Sequence, residues 1–372
     1  MKLVYFRGKQ LNFGDDLNGV LWPRLLPDLF DDMGAEGFLG IGTLIGMATP
    51  GCLRLHVFST GAGYDAVDTW RTERKVWCVR GPITAKLLGV DAALTDGAIL
   101  TPEIMGPPPG DPTGRIVGVV PHWQSLHFPG WEVACRAAGF RLISPIDTPE
   151  RVHAAIGSVS LVLTESLHGA IFADTMGIPW VPFVTTRNVS ALKWVDWCLS
   201  VGVAFTPVPL PPPSAAAALA FGRPGGGDGK APLRFDAEAA MTEFRQRVAM
   251  HAVVSLAAPQ HHARAQAAPG LAARMRAGLQ EAAQRSPAVS RALGYSPART
   301  AARLAAAARL EPKLSAASRR ADLRSAMLER LSAFERSQRT VEPRGVPTGV
   351  SSGVSGGFPS GIPGDVTAGV ER

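Results

Sequence analysis

Leu161-Val-Leu-Thr-Glu-Ser-Leu-His-Gly-Ala-Ile-Phe-Ala-Asp-Thr-Met-Gly-Ile-Pro-Trp-Val-Pro-Phe183 decides the fold, because it reads as strand, turn, helix, turn and strand in succession. Leu161 to Leu163 is an apolar run of the kind that builds a strand buried on both faces. Thr164-Glu165-Ser166 then supplies polar groups able to cap a helix, and Gly177-Ile-Pro179 ends that helix and opens the next strand. The unit is βαβ, with His168 in the first turn of its helix. There the N–H groups of Gly169 and Ala170, together with the positive end of the helix dipole, form a ready anion site. A histidine among apolar neighbours is often no more than a satisfied core residue. Its place directly after a buried strand favours a functional role, since ligands of open α/β sheets gather at the carboxyl ends of strands.

Outward from this unit, strands and helices alternate in both directions. Lys2 to Phe6 reads as a first strand, and Arg7 to Gly14 as a polar loop leading to a helix that carries Leu17, Val20, Leu21 and Leu25. Asp15 and Asp16 stand where a helix start favours carboxylates, so capping competes with a role in a cleft. Phe38 to Leu44 and Leu53 to Gly63 are strands that run into glycines, Gly40, Gly42, Gly61 and Gly63, where a backbone turns tightly or lets a ligand approach. Val76 to Pro82 is a strand ending in Arg80, followed by a helix over Ile83 to Leu88, and Leu94 to Leu100 reads as another short strand. The run Gly106 to Gly114 breaks all periodicity and marks a boundary. Beyond it come a strand at Arg115 to Val120 ending in Pro121-His122-Trp123, a helix at Trp131 to Ala138, a strand at Arg141 to Ser144 and a helix starting near Thr148-Pro149. After the central unit stand a Trp-rich helix with Lys193, Trp194 and Trp197, a loosened stretch at Pro207 to Pro213, and a helix over Phe235 to Leu256 offering Ala239, Phe244, Val248 and Val253 for packing.

This alternation predicts an α/β fold of two Rossmann-like doubly wound domains, residues 1–111 and 112–205, facing a cleft that holds the site. The other expected divisions are a Pro/Gly linker over 206–233, a packing helix over 234–258, an Ala/Arg-rich helical extension over 259–340 and a disordered tail over 341–372.

The net charge of +7 suggests nucleic acid until it is divided along the chain. Residues 261–372 hold 17 Lys+Arg against 8 Asp+Glu, which leaves 21 against 23 for residues 1–260. The body is slightly acidic, so composition argues against a nucleic-acid partner. The arginine-rich end is expected to dock peripherally on anionic lipid. No stretch reads as a signal peptide or as a membrane span, which predicts a cytoplasmic protein. Cys52, Cys78, Cys135 and Cys198 lack metal or redox spacing and read as buried free thiols, and no metal cluster is expected.

Taken in order, Asn12-Phe-Gly-Asp-Asp-Leu17, Gly40-Ile-Gly42, Ser59-Thr-Gly-Ala-Gly63, Val79-Arg-Gly-Pro-Ile-Thr84, Pro121-His-Trp123 and Glu165-Ser-Leu-His-Gly-Ala170 with Gly177-Ile-Pro179 resemble the polysaccharide pyruvyl transferase family. The resemblance implies a GT-B-like pair of domains, the first on the acceptor side and the second on the donor side. It also implies transfer of the enolpyruvyl carbons of phosphoenolpyruvate to a sugar diol of a glycan, which is in some cases lipid-linked, with no cofactor. By family pattern Arg80, His168 and Gly169 fall at donor-binding positions, and Arg187 is the nearest match to a third, basic position, with Lys193 in reserve. Gly42, Gly61, Gly63 and His122 are placed in the acceptor cleft. The chain departs from the family at Ser166, where many relatives carry arginine, and at Thr95-Asp96-Gly97, where the pattern is Gly-Asp-Pro.

The donor joins a carboxylate and a phosphate on a small carbon frame, so its site needs several fixed positive groups. Forming a ketal also needs a general acid and a general base. Asp15, Asp16, Glu165 and His168 are the candidates, and the sequence leaves them unranked. A glycosyltransferase using a sugar nucleotide, and a catalytically inactive glycan-binding protein, are the competing functions on the same frame.

Overall fold

The computed structural model describes residues 1–31, 33–67, 70–106, 115–224, 232–257 and 271–339. The expected boundary at Gly106 to Gly114, the Gly-rich end of the linker and the tail beyond residue 340 therefore lie almost wholly outside the described residues.

Two parallel sheets carry the fold. The first holds β1 (Lys2–Val4), β2 (Glu36–Leu39), β3 (Arg54–Phe58) and β4 (Glu73–Cys78) in that spatial order. Helix α1 (Phe13–Leu25) joins β1 to β2, and α2 (Pro82–Leu88) and α3 (Thr101–Met105) follow β4. Among the described residues no helix joins β2 to β3 or β3 to β4, so the expected alternation fails in this half. The crossovers are loops whose turns form the rim of a cavity instead. The expected strand at Leu94 to Leu100 is also corrected. Asp96 caps a 3-10 turn over Gly97–Leu100 by accepting from Ala98 N–H at 3.0 Å, and a short polar residue at that position favours a cap over a strand.

The second sheet is built from β5 (Val117–Val120), β6 (Arg141–Leu142), β7 (Leu161–Thr164), β8 (Trp180–Val184) and β9 (Val208–Pro209), in the spatial order β6-β5-β7-β8-β9. Helices α4 (Trp131–Ala138), α5 (Pro149–Gly157), α6 (Leu167–Thr175) and α7 (Ala191–Val201) alternate with these strands, as the sequence predicts. The order reverses between β5 and β7, which creates the topological switch point where ligands of doubly wound sheets bind. Both faces of this sheet are buried. Val117, Val119, Leu161, Leu163, Val181 and Phe183 point into one core, while Val162, Trp180 and Val184 point into the other. That is why these strands read as continuous apolar runs.

The stretch expected to be a loose linker is ordered over its first half. It supplies β9 and then α8 (Ala215–Phe221), whose Ala215, Ala216 and Ala217 are buried. On α9 (Ala237–Ala257) the buried residues among those described are Ala240 and Phe244, with Val248 half-buried and Ala239 exposed, and the side chain of Val253 lies outside the described residues.

The largest correction concerns the C-terminal region. Helices α10 (Leu271–Arg285), α11 (Pro287–Ala292), α12 (Pro297–Ala307) and α13 (Ala317–Arg339) are layers of the fold. Leu304, Ala307 and Ala308 close one face of the second sheet alongside Trp131 of α4. The segment before α13 pairs with β8 through Lys313 N–H to Trp180 O at 2.7 Å and Trp180 N–H to Lys313 O at 2.9 Å. From α13, Phe334 enters the aromatic cluster of the first sheet, with ring centroids 5.2 Å from Phe38 and 5.4 Å from Trp77, and Leu323, Met327 and Leu331 are buried beside it. Each such side chain contributes roughly 1.5–3 kcal/mol on full burial. Part of the basic excess docks on the body as well. Arg319 donates to Ser200 O, Arg330 to Trp77 O, and Arg324 pairs with Glu103 at 2.6 Å. No helix among the described residues is long and apolar enough to cross a membrane. All four cysteines are free, three of them buried and Cys52 half-buried.

Candidate functional site

The carboxyl ends of β1, β2 and β3 meet those of β5, β7 and β8 around a cavity of about 430 Å³, within the roughly 300–1,000 Å³ usual for small-molecule sites. Its wall includes Asp15, Gly42, Tyr64, His122, His168 and Lys193.

His168 reaches this wall because α6 begins directly after β7 and its N-cap Ser166 makes no side-chain capping bond. Ser166, Leu167 and His168, at the start of this helix, line the cavity, and the N–H groups of a helix's first turn have no partner within it. Gly169 is in that turn but buried, and a side chain there would press on Thr164 Oγ1 at 2.5 Å. Ala170 N–H is already taken by Ser166 O at 3.2 Å, so it is not one of the free donors at the start of α6. Gly14 of α1 gives the His168 ring its room, since a Cβ at Gly14 would stand 2.0 Å from Nδ1. Burial first, then the positive charges of Lys193 and Arg80, pushes the His168 imidazole down to about 3. His122, after the adjacent strand β5, is likewise pushed down to about 3 by burial and then by Lys193. Both rings are neutral near pH 7.

Lys193 is the only lysine or arginine among the described residues that line the cavity. Its Nζ donates to Tyr64 Oη at 2.9 Å. Arg187, the expected third cation, is exposed and turned away, donating from Nε to Arg223 O at 2.8 Å. Arg187 lies in the loop before α7 and Lys193 in the first turn of that helix, and the course of the loop, which the sequence does not specify, decides which of the two faces the cavity.

Arg80 does not line the cavity. It is 1 % exposed and lies beneath the floor, where it donates to Gly42 O at 3.2 Å, Thr43 Oγ1 at 3.1 Å and Ala62 O at 2.7 Å. Its Nε lies 3.4 Å from Asp196 Oδ2. Asp196, which sequence reasoning passed over, also accepts from the N–H groups of Ile83 and Thr84 and from Thr84 Oγ1, and so caps α2 from α7. A carboxylate within the Trp-rich helix, flanked by Val195 and Trp197, was the available signal. Gly61 makes space for the guanidinium, since a Cβ there would lie 2.3 Å from Arg80 Cζ. Gly61 and Gly63 therefore shape the floor, whereas Gly42 lines the cavity with φ +122°.

The carboxylates separate cleanly. Asp16 reaches back to Asn12 N–H at 2.7 Å and serves as a cap. Glu165 is buried and accepts from His122 N–H, Ser125 Oγ, Thr185 N–H and Thr185 Oγ1, which ties the ends of β5, β7 and β8 together. Burial raises its carboxyl and these bonds oppose the rise. Asp15 faces the cavity, accepts from Asn12 Nδ2 at 2.6 Å, and is pushed up to about 6, chiefly by burial, with Asn12 and Lys193 opposing. Asp96, whose motif departs from the family pattern and which the sequence reading gave no role, lies fully buried beside His168, its Oδ2 3.9 Å from Nε2. The described residues hold no cluster of His, Cys, Asp or Glu able to bind a metal.

Residues 115–187, the stretch that supplies β5 to β8 and the His168 helix, match the family model described as polysaccharide pyruvyl transferase. The chain is 33% identical over 233 residues to the succinoglycan biosynthesis protein ExoV of Rhizobium meliloti (strain 1021), covering 60% of this chain and 72% of that protein. No solved structure matches. The motif order along the first two hundred residues and the identity to ExoV agree, and the chain belongs to the polysaccharide pyruvyl transferase family.

Proposed function

We propose that this protein transfers the enolpyruvyl group of phosphoenolpyruvate to a sugar diol of an exopolysaccharide precursor, forming a pyruvate ketal and releasing phosphate. The observation that carries this reading is the meeting, in one cavity, of the Lys193 ammonium, the uncapped start of α6 and the raised carboxyl of Asp15. Lys193 and the helix N-terminus suit the phosphate and carboxylate of the donor, and the buried charge of Arg80 adds positive potential below the floor. Asp15, half-protonated near pH 6, suits delivery of a proton to the methylene carbon. One hydroxyl of the diol then attacks the adjacent carbon and the C–O bond to phosphate breaks. The second hydroxyl closes the ketal. Of the two hydroxyl protons, one balances the proton given to the methylene carbon and the other leaves with phosphate. His168 is the base within reach of those hydroxyls.

In this reading the two sheets form a GT-B-like frame, with the donor on the side of the second sheet and the acceptor on the side of the first. The arginines of residues 261–372 that do not engage the body would hold the protein against anionic lipid carrying a lipid-linked acceptor, as salt-sensitive co-sedimentation with anionic vesicles would register. The central test is incubation with phosphoenolpyruvate and a panel of glycans. Phosphate release and the mass of a pyruvate ketal are expected; transfer from a sugar nucleotide, or inert binding, would replace the proposal.

A further inference from the structure

Beneath the cavity lie two buried polar atoms without hydrogen-bond partners that face each other across the start of α6. His168 Nε2 and Asp96 Oδ2 are 3.9 Å apart, and neither has another partner. The other Asp96 oxygen is fixed, since Oδ1 accepts from Ala98 N–H at 3.0 Å and caps the 3-10 turn. That turn cannot recede. A side chain at Gly97 would stand 2.5 Å from Ser59 Oγ and 2.8 Å from Trp22, so the backbone carrying Asp96 is pressed against β3 and α1. The imidazole is equally confined between Gly14 and the edge of Phe13. An orphaned carboxylate oxygen in a protein interior is costly unless a donor reaches it, and the Nε2–H of His168 needs only a small ring rotation to do so.

We propose that Asp96 is the positioning residue of His168: its carboxylate accepts the Nε2–H, fixes that tautomer, and leaves Nδ1 as the nitrogen that takes a proton from the acceptor hydroxyl. The role of the base rests on the pyruvyl-transfer reading; the pairing itself does not. When Nδ1 takes that proton, the imidazolium that forms is held by the carboxylate at Nε2, and the proton later leaves with phosphate. The other charged groups facing the pair are Arg80 and Asp196 below Asp96, Asp15 from α1 and Lys193 from α7. His153 stands farther off, stacked edge-on against Phe172 of α6. Arg80 favours ionised Asp96 and, with Lys193, disfavours an unassisted imidazolium, so the carboxylate is the group that makes protonation of His168 feasible. Burial pushes the Asp96 carboxyl up to about 6, which leaves it ionised above neutrality.

The test reads the tautomer directly in the full chain, by long-range proton–nitrogen NMR of nitrogen-labelled histidine at pH 7.5, with the His168 signals identified by their loss in His168→Gln. The wild type is expected to carry its proton on Nε2. In Asp96→Asn the amide oxygen keeps the bond to Ala98 N–H and its NH₂ faces the ring as a donor, so the proton should move to Nδ1. The same variant should lose about 10²- to 10⁴-fold in kcat, with KM for phosphoenolpyruvate within a few-fold and the acidic limb of the pH profile, which the base sets, displaced. A wild-type ring protonated on Nδ1 would overturn the proposal without any variant having to fold. So would an Asp96→Asn enzyme with unchanged kcat and pH profile. If the tautomer exchanges as expected but neither protein uses phosphoenolpyruvate, the pairing stands and the pyruvyl-transfer reading falls.

Discussion

Lys193 and Arg187 lie six positions apart and exchange the roles that motif spacing assigns them. Lys193 faces the cavity from α7, while Arg187 is bound to a backbone carbonyl outside it. Charge-assisted hydrogen bonds contribute roughly 1.5–3 kcal/mol, so Lys193→Ala should lower kcat/KM for phosphoenolpyruvate by about one to two orders of magnitude. Arg187→Ala should leave it within two-fold in the same steady-state assay, and the reverse ranking would restore Arg187 as the donor cation. The neutral imidazole of His168 gives a second prediction at this scale. Its folded value of about 3 lies below the 6.5 of an unperturbed imidazole, so the unfolded chain takes up the proton first as pH falls. The contribution of this group to stability is therefore complete above pH 6.5 and declines toward pH 3, by up to about 1.4 kcal/mol per pH unit. Urea unfolding of His168→Gln and wild type should differ least favourably for the variant at pH 7.5, with the variant gaining ground as pH is lowered to 4.5. A difference independent of pH would mean that the imidazole is not held neutral.

Among the elements, the starts of α1 and α6 are built to touch. Gly14 and His168 occupy the first turns of the two helices, and Phe13 packs edge-on against Phe172 at 5.1 Å. Gly14→Ala places a methyl where Nδ1 now lies, so the ring must leave the cavity wall. The expected outcome is activity reduced by at least about ten-fold with a melting temperature close to wild type. Equal activity would show that the ring has another productive position. A second junction joins α7 to α2, where Asp196 caps the helix and pairs with Arg80. Removing one member of a buried pair leaves the other uncompensated, typically at about 3–5 kcal/mol. Asp196→Ala should show that loss in denaturant unfolding, while Asp196→Asn, which keeps an acceptor for the cap, should lose less.

For the whole molecule, the decisive prediction concerns the C-terminal helices. Cutting the chain after residue 257 removes the cover formed by Leu304, Ala307 and Ala308 on one sheet and by Phe334 and its neighbours on the other. The truncated chain is expected to lose its cooperative thermal transition in circular dichroism and to bind a hydrophobic dye. A soluble fragment 1–257 that melts as the full chain does would return α10 to α13 to the status of an appendage.

Much of this was legible beforehand because it depends on local chemistry. The run Leu161 to Phe183 determined a βαβ unit by itself: a doubly buried parallel strand needs continuous apolar residues, and the polar residues that follow Leu163 end the strand and open the helix. The alternation through residues 115–201 likewise determined a parallel sheet with His122 and His168 at strand ends, and motif order identified the family. Tertiary structure alone decided what each polar residue does there. Asp15, Asp16 and Glu165 are alike in type and in nearness to strand ends, yet one faces the cavity, one caps a helix and one ties three strands together. Which neighbours surround a carboxylate is set by contacts across up to a hundred or more residues, as when Asp196 meets Thr84 or Asp96 meets His168. The same reason hid the role of the C-terminal helices. An Ala/Arg-rich helix with few large apolar residues reads as solvated, and only the open faces of two distant sheets show that those few residues close the core.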